Sequence, residues 1–264
     1  MKAFVDSIAV LGPGMNGWVA AKPVLAGEVP YEPAPMAAPV PALLPAVERR
    51  RTGLTVKLAL AVGQAALDAA GRPVDSVATV FVSSGNDGDV INDICLTLAG
   101  PDRQVSPTRF HNSVHNAAAG YWGIATHSHH PSTSLCAYDW SFAVGLIEAA
   151  SQVQFQREQV LLISYDAPYP DPLGGVRRLT APFGVGLLLS RERSAQSIAR
   201  LDLDLGGAAT AVSVMRNPAL EALRQGNPCA HALPLLEAIA VAKPQPVVME
   251  RNAGQMLTIA VQPA

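Results

Sequence analysis

The sequence predicts a layered α/β domain in which a mostly parallel sheet is covered by helices. Two observations carry this. Short apolar, β-branched runs alternate with stretches of helical period, and a glycine or proline closes most of them. Hydrophobic residues make up 49% of the 264 residues against 15% charged, enough to bury a full core as one large domain or as one domain with an appendage.

Residues 3–10 form a mostly apolar run that ends at Gly12-Pro13-Gly14, which suits a first strand with Asp6 near the edge of its burial. Residues 23–45 hold seven prolines and are expected as an extended surface excursion without regular helix or central strand. The apolar spacing Leu54, Leu58, Ala61, Val62, Ala65, Ala66 predicts a helix over residues 52–70, stopped by Gly71. Residues 77–83 read as a buried parallel strand feeding the Ser84-Gly85 loop. Helices are expected at residues 90–98 and 113–126, a strand at 134–137, a helix at 140–155 and a strand at 159–165. Residues 183–189 follow a loop rich in proline and glycine with no intervening helix, which suits hairpin-like pairing with the strand before. After Ser190 the pattern gives a strand at residues 198–205, helical stretches at 219–224 and 234–241, and a strand at 256–261. These imply a division into residues 1–190 and a short α/β C-terminal extension, 191–264, packing on them. No internal repeat is visible.

Composition also removes function classes. A formal net charge of −2 leaves no electrostatic footprint for nucleic acid. Arg49-Arg50-Arg51 reads as a solvated helix entry that also offers charge to an acidic carrier protein. Cys95, Cys136 and Cys229 are odd in number and widely spaced, which argues against a disulfide framework and for a reducing compartment. Asp6 and the Gly-Pro-Gly turn interrupt any signal-peptide core, and the stretch from Phe110 to Tyr138, free of Asp, Glu, Lys and Arg, is too polar for hydrocarbon. A cytoplasmic protein is expected. Five of the six histidines lie between His111 and His130, but no carboxylate accompanies them; they read as capping, packing and interface residues, and no metal is expected. Asp87 and Asp89 read as the acidic start of a helix.

Residues 103–150 read as helix, loop, short strand, then a helix opening at a tight elbow. The segments SPTRFHNSVHNAAAGYW, PSTSLCAYDWSFAVGLIEA and APFGVGLLLS, with Ser106-Pro107, Asn116, Gly120 and Pro131-Ser132 at matching intervals, resemble the β-ketoacyl synthases. The resemblance is to their N-terminal domain and, within it, to the short ketosynthase-like, chain-length-factor-type subunits of aryl polyene and xanthomonadin-type pigment pathways. It covers about residues 1–190, and its middle third is the most specific. It implies a thiolase-like fold, essentially one half of the duplicated thiolase architecture plus a short C-terminal appendage.

Members that condense carry a reactive cysteine at the elbow and two histidines from the second half. In an ungapped register Asp139 stands at the nucleophile position and Cys136 falls three residues early. Only His231 follows Ser190, without glycine-rich surroundings. The resemblance thus implies a non-catalytic subunit that forms a heterodimer with an active β-ketoacyl synthase and shapes its acyl tunnel in polyene or fatty-acyl-type elongation. Substrates would ride on an acyl carrier protein and be handled by the partner, with no cofactor.

In the family the strand leading into the elbow joins the two sheets of the dimer; here that is Thr133, Ser134, Leu135, Cys136 and Ala137. Residues before the asparagine-bearing helix reach the partner's pocket; here those are Arg109, Phe110, Ser113 and Val114, ahead of Asn116. Phe110 is the expected chain gate, and Arg109 departs from the family's usual apolar residue. Two further readings stand beside this one. A thiolase-like acyltransferase would use Cys136 as its nucleophile, although Tyr138, Asp139 and Trp140 would then follow where the family has small residues, and the common alternative for Cys136 is a buried strand thiol. A purely structural acyl-binding scaffold would leave product length untouched.

Overall fold

In a computed structural model, which describes residues 1–206 and 211–264, the apolar runs form strands of one mixed sheet and the helical stretches cover its two faces. The chain begins with β1 (Lys2–Gly12), the short β2 (Met15–Asn16) and α1 (Trp18–Leu25). Then come α2 (Ala46–Arg51), α3 (Leu54–Ala69), β3 (Ala78–Val82), α4 (Gly88–Ala99), α5 (Pro107–Asn112), α6 (Ala117–Thr126) and β4 (Ser132–Leu135). The elbow leads into α7 (Ser141–Phe155), β5 (Gln159–Asp166), α8 (Leu173–Val176) and β6 (Phe183–Ser190). The chain closes with β7 (Ala199–Asp204), α9 (Pro218–Gly226), α10 (Leu233–Val241), β8 (Gln245–Asn252) and β9 (Gln255–Pro263).

The strands lie in the order β4-β3-β5-β6-β1-β7-β9-β8, with β2 paired to β1. Parallel pairing holds β4, β3 and β5 together, and β6, β1, β7, β9 and β8 extend the sheet by antiparallel pairs. β3, β4 and β5 follow one another through helices that return the chain to the same end of the sheet, whereas β6 follows β5, and β9 follows β8, without a long helix and so runs back antiparallel. The layered α/β architecture expected from sequence is thus present, but the sheet is mixed and mostly antiparallel, because the strands after β5 are added by antiparallel pairing.

Two apolar layers flank the sheet. Val80, Val82, Leu162, Val185 and Leu187 face α1, α7, α9 and α10, while Phe81, Leu161, Ile163 and Leu188 face α3 and α6. Burial on both faces explains why β5 reads as a continuous apolar run. Residues 191–264 add β7, β9 and β8 beside β1, and Leu220, Leu233, Leu236 and Ile259 enter the same core as β1 and α7. No described helix is long and apolar enough to cross a membrane.

Several local expectations change. Pro23 lies inside α1, not in an irregular excursion; it sits in the last turn, where its missing N–H costs one bond, and Ala21 and Leu25 are buried. The arginine run is itself the last turn of α2, where cations complement the helix dipole. The helix expected over residues 113–126 is broken, because the Ser113 hydroxyl bonds the Phe110 carbonyl (2.8 Å) and the Asn86 amide takes the Ser113 and Val114 carbonyls out of any helix. β8 went unexpected, since Pro246 and Glu250 mask a strand whose inward residues are Val247 and Met249. The strand expected at 134–137, and its extension over 133–137, ends instead at Leu135. The Ala137 N–H turns to the Ser141 hydroxyl (2.9 Å) and leaves the ladder.

Gly145 sets the height of α7, since a Cβ there would run into Val82 of β3. Gly145→Val is expected to lower the unfolding free energy by about 1–3 kcal/mol through overpacking, read from urea denaturation.

Candidate functional site

The C-terminal ends of β3, β4 and β5, the usual place for function beside a parallel sheet, converge at the elbow. β3 runs into Ser83, Ser84, Gly85, Asn86 and Asp87, the last capping α4 through a bond from the Val90 N–H (3.2 Å) and accepting from Thr55 Oγ1 (2.8 Å). The acidic helix start read from Asp87 and Asp89 is therefore what forms.

After β4 the chain turns sharply. Tyr138 takes φ +53°, rare for a bulky residue and costing on the order of 1 kcal/mol. A single 3-10 turn, Tyr138–Trp140, then opens α7. Ser141 braces it by donating to the Tyr138 carbonyl (2.7 Å) while accepting from the Ala137 N–H.

Asp139 occupies the elbow. Its Oδ1 accepts from Nη2 of Arg177 (2.9 Å), a residue delivered by the β5–β6 loop. The Arg177 guanidinium also lies 3.5 Å from the centre of the Tyr138 ring. Such a planar cation serves carboxylate and aromatic face together. Its side chain is only 16% exposed, whereas that of Asp139 is half exposed.

Cys136 lies between β4 and the elbow and is exposed rather than buried in a strand, and its Sγ donates to the Ser84 carbonyl (3.3 Å). The strand-thiol expectation fails because β4 stops one residue earlier.

Beneath the elbow sits Asp166, fully buried at the end of β5. Its Oδ1 accepts from Ser83 Oγ (3.0 Å), Ser84 N–H (2.8 Å) and Ser84 Oγ (2.9 Å), while Oδ2 has no hydrogen-bond partner among the described residues. Burial pushes its pKa up to about 6, against the pull of Ser84, Ser83 and Arg177. Asn227 ties the C-terminal segment here: its amide donates to the Ala181 carbonyl (2.8 Å) and the Asp166 carbonyl (3.4 Å), and its Oδ1 accepts from Cys229 and Ala230 N–H.

That segment brings His231 to Asp139. Burial, then the Arg224 charge, holds the imidazole below its usual pKa and favours the neutral ring, with the Asp139 backbone pulling the other way. Both residues line a cavity of about 280 Å³ with Trp140, Arg224, Val248 and Glu250. Arg224 is held by Glu221 (2.6 and 2.8 Å), whose pKa its hydrogen bond lowers to about 2. Cys229 is buried, which pushes its thiol well up. Among the described residues no three His, Cys, Asp or Glu side chains gather as a metal site; His111 packs edge-on against Tyr121.

Residues 26–249 match the family of β-ketoacyl synthase N-terminal domains. The chain belongs to this family. No curated protein matches it. Solved structures with the same fold include the ketosynthase ApeO in complex with its chain length factor ApeC from Xenorhabdus doucetiae (21% identity, 98% of this chain and 99% of that chain, TM-score 0.74). The ishigamide ketosynthase/chain length factor matches at 12% identity, over 100% of this chain and 99% of that one, with TM-score 0.71. AntDE:AntF, a type II polyketide acyl-carrier protein in complex with its ketosynthase, matches at 10% identity, over 99% of each chain, with TM-score 0.77.

Within this ketosynthase domain the residues singled out from sequence form two groups. Arg109 pairs with Asp93 (2.7 Å) on the surface, Phe110 is 68% exposed, Val114 is exposed, and Asn116 opens α6 without a side-chain cap. Thr133, Ser134 and Leu135 form the outer strand β4, and Thr133 Oγ1 accepts from Gln152 (3.2 Å). The 83–87 loop joins the groups, because Asn86 holds the Ser113 and Val114 carbonyls while the Ser84 carbonyl holds Cys136. Sequence reasoning missed Asp166, Arg177 and Asn227 and undervalued His231. The acid that ends the apolar run of β5 was a signal for the first; nothing local marked the others.

The Asp166 shift fixes a pH dependence. A carboxyl whose folded pKa is raised is bound by a proton in the native state before the unfolded chain takes one, so its contribution to stability grows as pH falls through about 6. Lowering the pH from 7 to 5 is expected to stabilise the wild type relative to Asp166→Asn by about 1 kcal/mol, read as the difference between their urea midpoints, which cancels the opposing titration of His231.

Proposed function

We propose that the chain is a chain-length-factor-type subunit that pairs with an active β-ketoacyl synthase, shapes its acyl tunnel and performs no condensation itself. The observation that carries this is the elbow, where Asp139 is ion-paired to Arg177; the ungapped family register assigns Asp139 the nucleophile position, and a carboxylate does not take up an acyl chain as a thiolate does. Neighbours of the same fold and length described as ketosynthase and chain length factor complexes support the reading.

β4 is the outermost strand, bonded to β3 on one side, which leaves its other edge free to continue the sheet into a partner. Phe110 and Val114 are exposed apolar side chains. A ring at such a place limits chain length by filling the tunnel end. Carrier-bound acyl groups are then the partner's substrates, this subunit needs no cofactor, and both work in the cytoplasm.

Mass spectrometry of the chain coexpressed with a condensing ketosynthase, after incubation with malonyl- and acyl-loaded carrier protein, is expected to show a stable heterodimer with acyl mass on the partner alone. Phe110→Ala is expected to lengthen the product. Acyl mass on this chain that disappears in Cys136→Ala would make the exposed thiol a nucleophile and the protein an acyltransferase. A complex whose product length ignores Phe110→Ala points instead to a scaffold.

A further inference from the structure

The loop at residues 83–87 is closed at a cost. Asn86 takes φ +61°, in the left-handed region, and its Oδ1 is shielded from water without a hydrogen-bond partner among the described residues. Oδ2 of Asp166, beneath the loop, is in the same condition. Both oxygens are satisfied as soon as water reaches them, so closure forfeits what opening restores. A segment held on such terms opens below the free energy of global unfolding.

Opening the loop also releases what it holds. The Asn86 amide holds the Ser113 and Val114 carbonyls ahead of α6, and the Ser84 carbonyl holds the Cys136 thiol at the end of β4. Tyr169, from the β5–β6 loop, lies on top: a Cβ on Gly85 would strike its hydroxyl and one on Gly88 its ring. The loop thus has a movable cover above it and a buried carboxyl below.

The charge of that carboxyl sets how firmly the loop shuts. Closed, Asp166 is dry and burial raises its pKa to about 6; opened, it meets water and returns to the ordinary carboxylate range of about 4. Because the closed-state value is the higher one, closure is firmest at low pH and weakens as pH rises through about 6. The neighbours facing this pocket are Arg177 and Tyr169 of the β5–β6 loop, Tyr165 of β5 and Cys229 of the C-terminal segment, with Asp87 and Cys136 beside Tyr165. Burial pushes both tyrosines and Cys229 up, so they keep their protons between pH 5 and 7. His231, held low at the Asp139 side, is common to the wild type and Asp166→Asn and cancels between them.

We propose that residues 83–87 form a proton-operated latch, shut when Asp166 is neutral and loosened when it is charged, whose opening frees the segment ahead of α6 and the end of β4 together. The latch stands independently of the subunit reading.

The test is hydrogen exchange on the full chain at pH 5 and pH 7, corrected for intrinsic exchange rates and read at the Ser84 N–H, bonded to Asp166, and the Asn86 N–H, bonded to Ser83. Their protection is expected to be about 10-fold higher at pH 5 than at pH 7, and at both pH values at least about 100-fold below that of the β5 and β6 amides. The Ala117 N–H, bonded to the Val114 carbonyl (3.1 Å), is expected to follow the same ratio. Asp166→Asn is expected to change by less than about 3-fold between the two pH values. Ser84→Ala, which keeps the carboxyl and removes one of its donors, is expected to open more often at both while retaining the ratio. Protection equal to that of β5 and β6 means that the loop opens only with the whole fold, and overturns the latch. So does a wild-type protection that ignores pH, or the same ratio in Asp166→Asn. An Ala117 amide indifferent to pH overturns the joint release.

Discussion

The buried carboxylate of Asp166 is the fastening on which the site depends. It stands at the end of β5, gathers the Ser83 and Ser84 donors that end β3, and through Ser84 reaches Cys136 at the end of β4. The Asn227 amide on its carbonyl adds the C-terminal segment, and with it His231. Burying a carboxyl whose second oxygen finds no partner among the described residues is costly. The fold accepts that cost at the one point where three strand ends and a distant segment must keep a common geometry.

Beside this fastening the elbow gathers a carboxylate, a thiol and an imidazole around one sharp turn. The turn is sharp, a helix opens behind it, and a neutral-leaning imidazole stands nearby. The central carboxylate, however, is spoken for by Arg177, and the exposed thiol points at a backbone carbonyl. Each of these groups is satisfied by a neighbour within the chain. β8 closes one side of the site, where Val248, Met249 and Glu250 line the cavity with Asp139 and His231.

The fold was largely legible because its signals are local. Helical period marked α3, and the β-branched and leucine runs of β3, β5 and β6 could only be buried strands. β8 was not legible, since an edge strand carrying Pro246 and Glu250 shows its pattern only once β9 pairs with it. Around the site, the tight turn before α7 and the acidic start of α4 at Asp87 were legible in the chain, while the register that put Asp139 at the turn came from the family resemblance. Arg177 and Asn227 escaped because each acts across more than thirty-five residues of sequence, 38 to Asp139 and 61 to Asp166, and no local pattern encodes such a contact.

The composition of β4 bears on the life of the free protomer. The strand is four residues long and three of them, Ser132, Thr133 and Ser134, carry hydroxyls. Thr133 and Ser132 are already engaged by Gln152 and Thr79. So short and hydroxylated an edge is well hydrated and a poor template for indiscriminate strand addition. Strand pairing at this edge therefore gives the chain little drive toward self-association in dilute solution, because water competes for each hydrogen bond it would make.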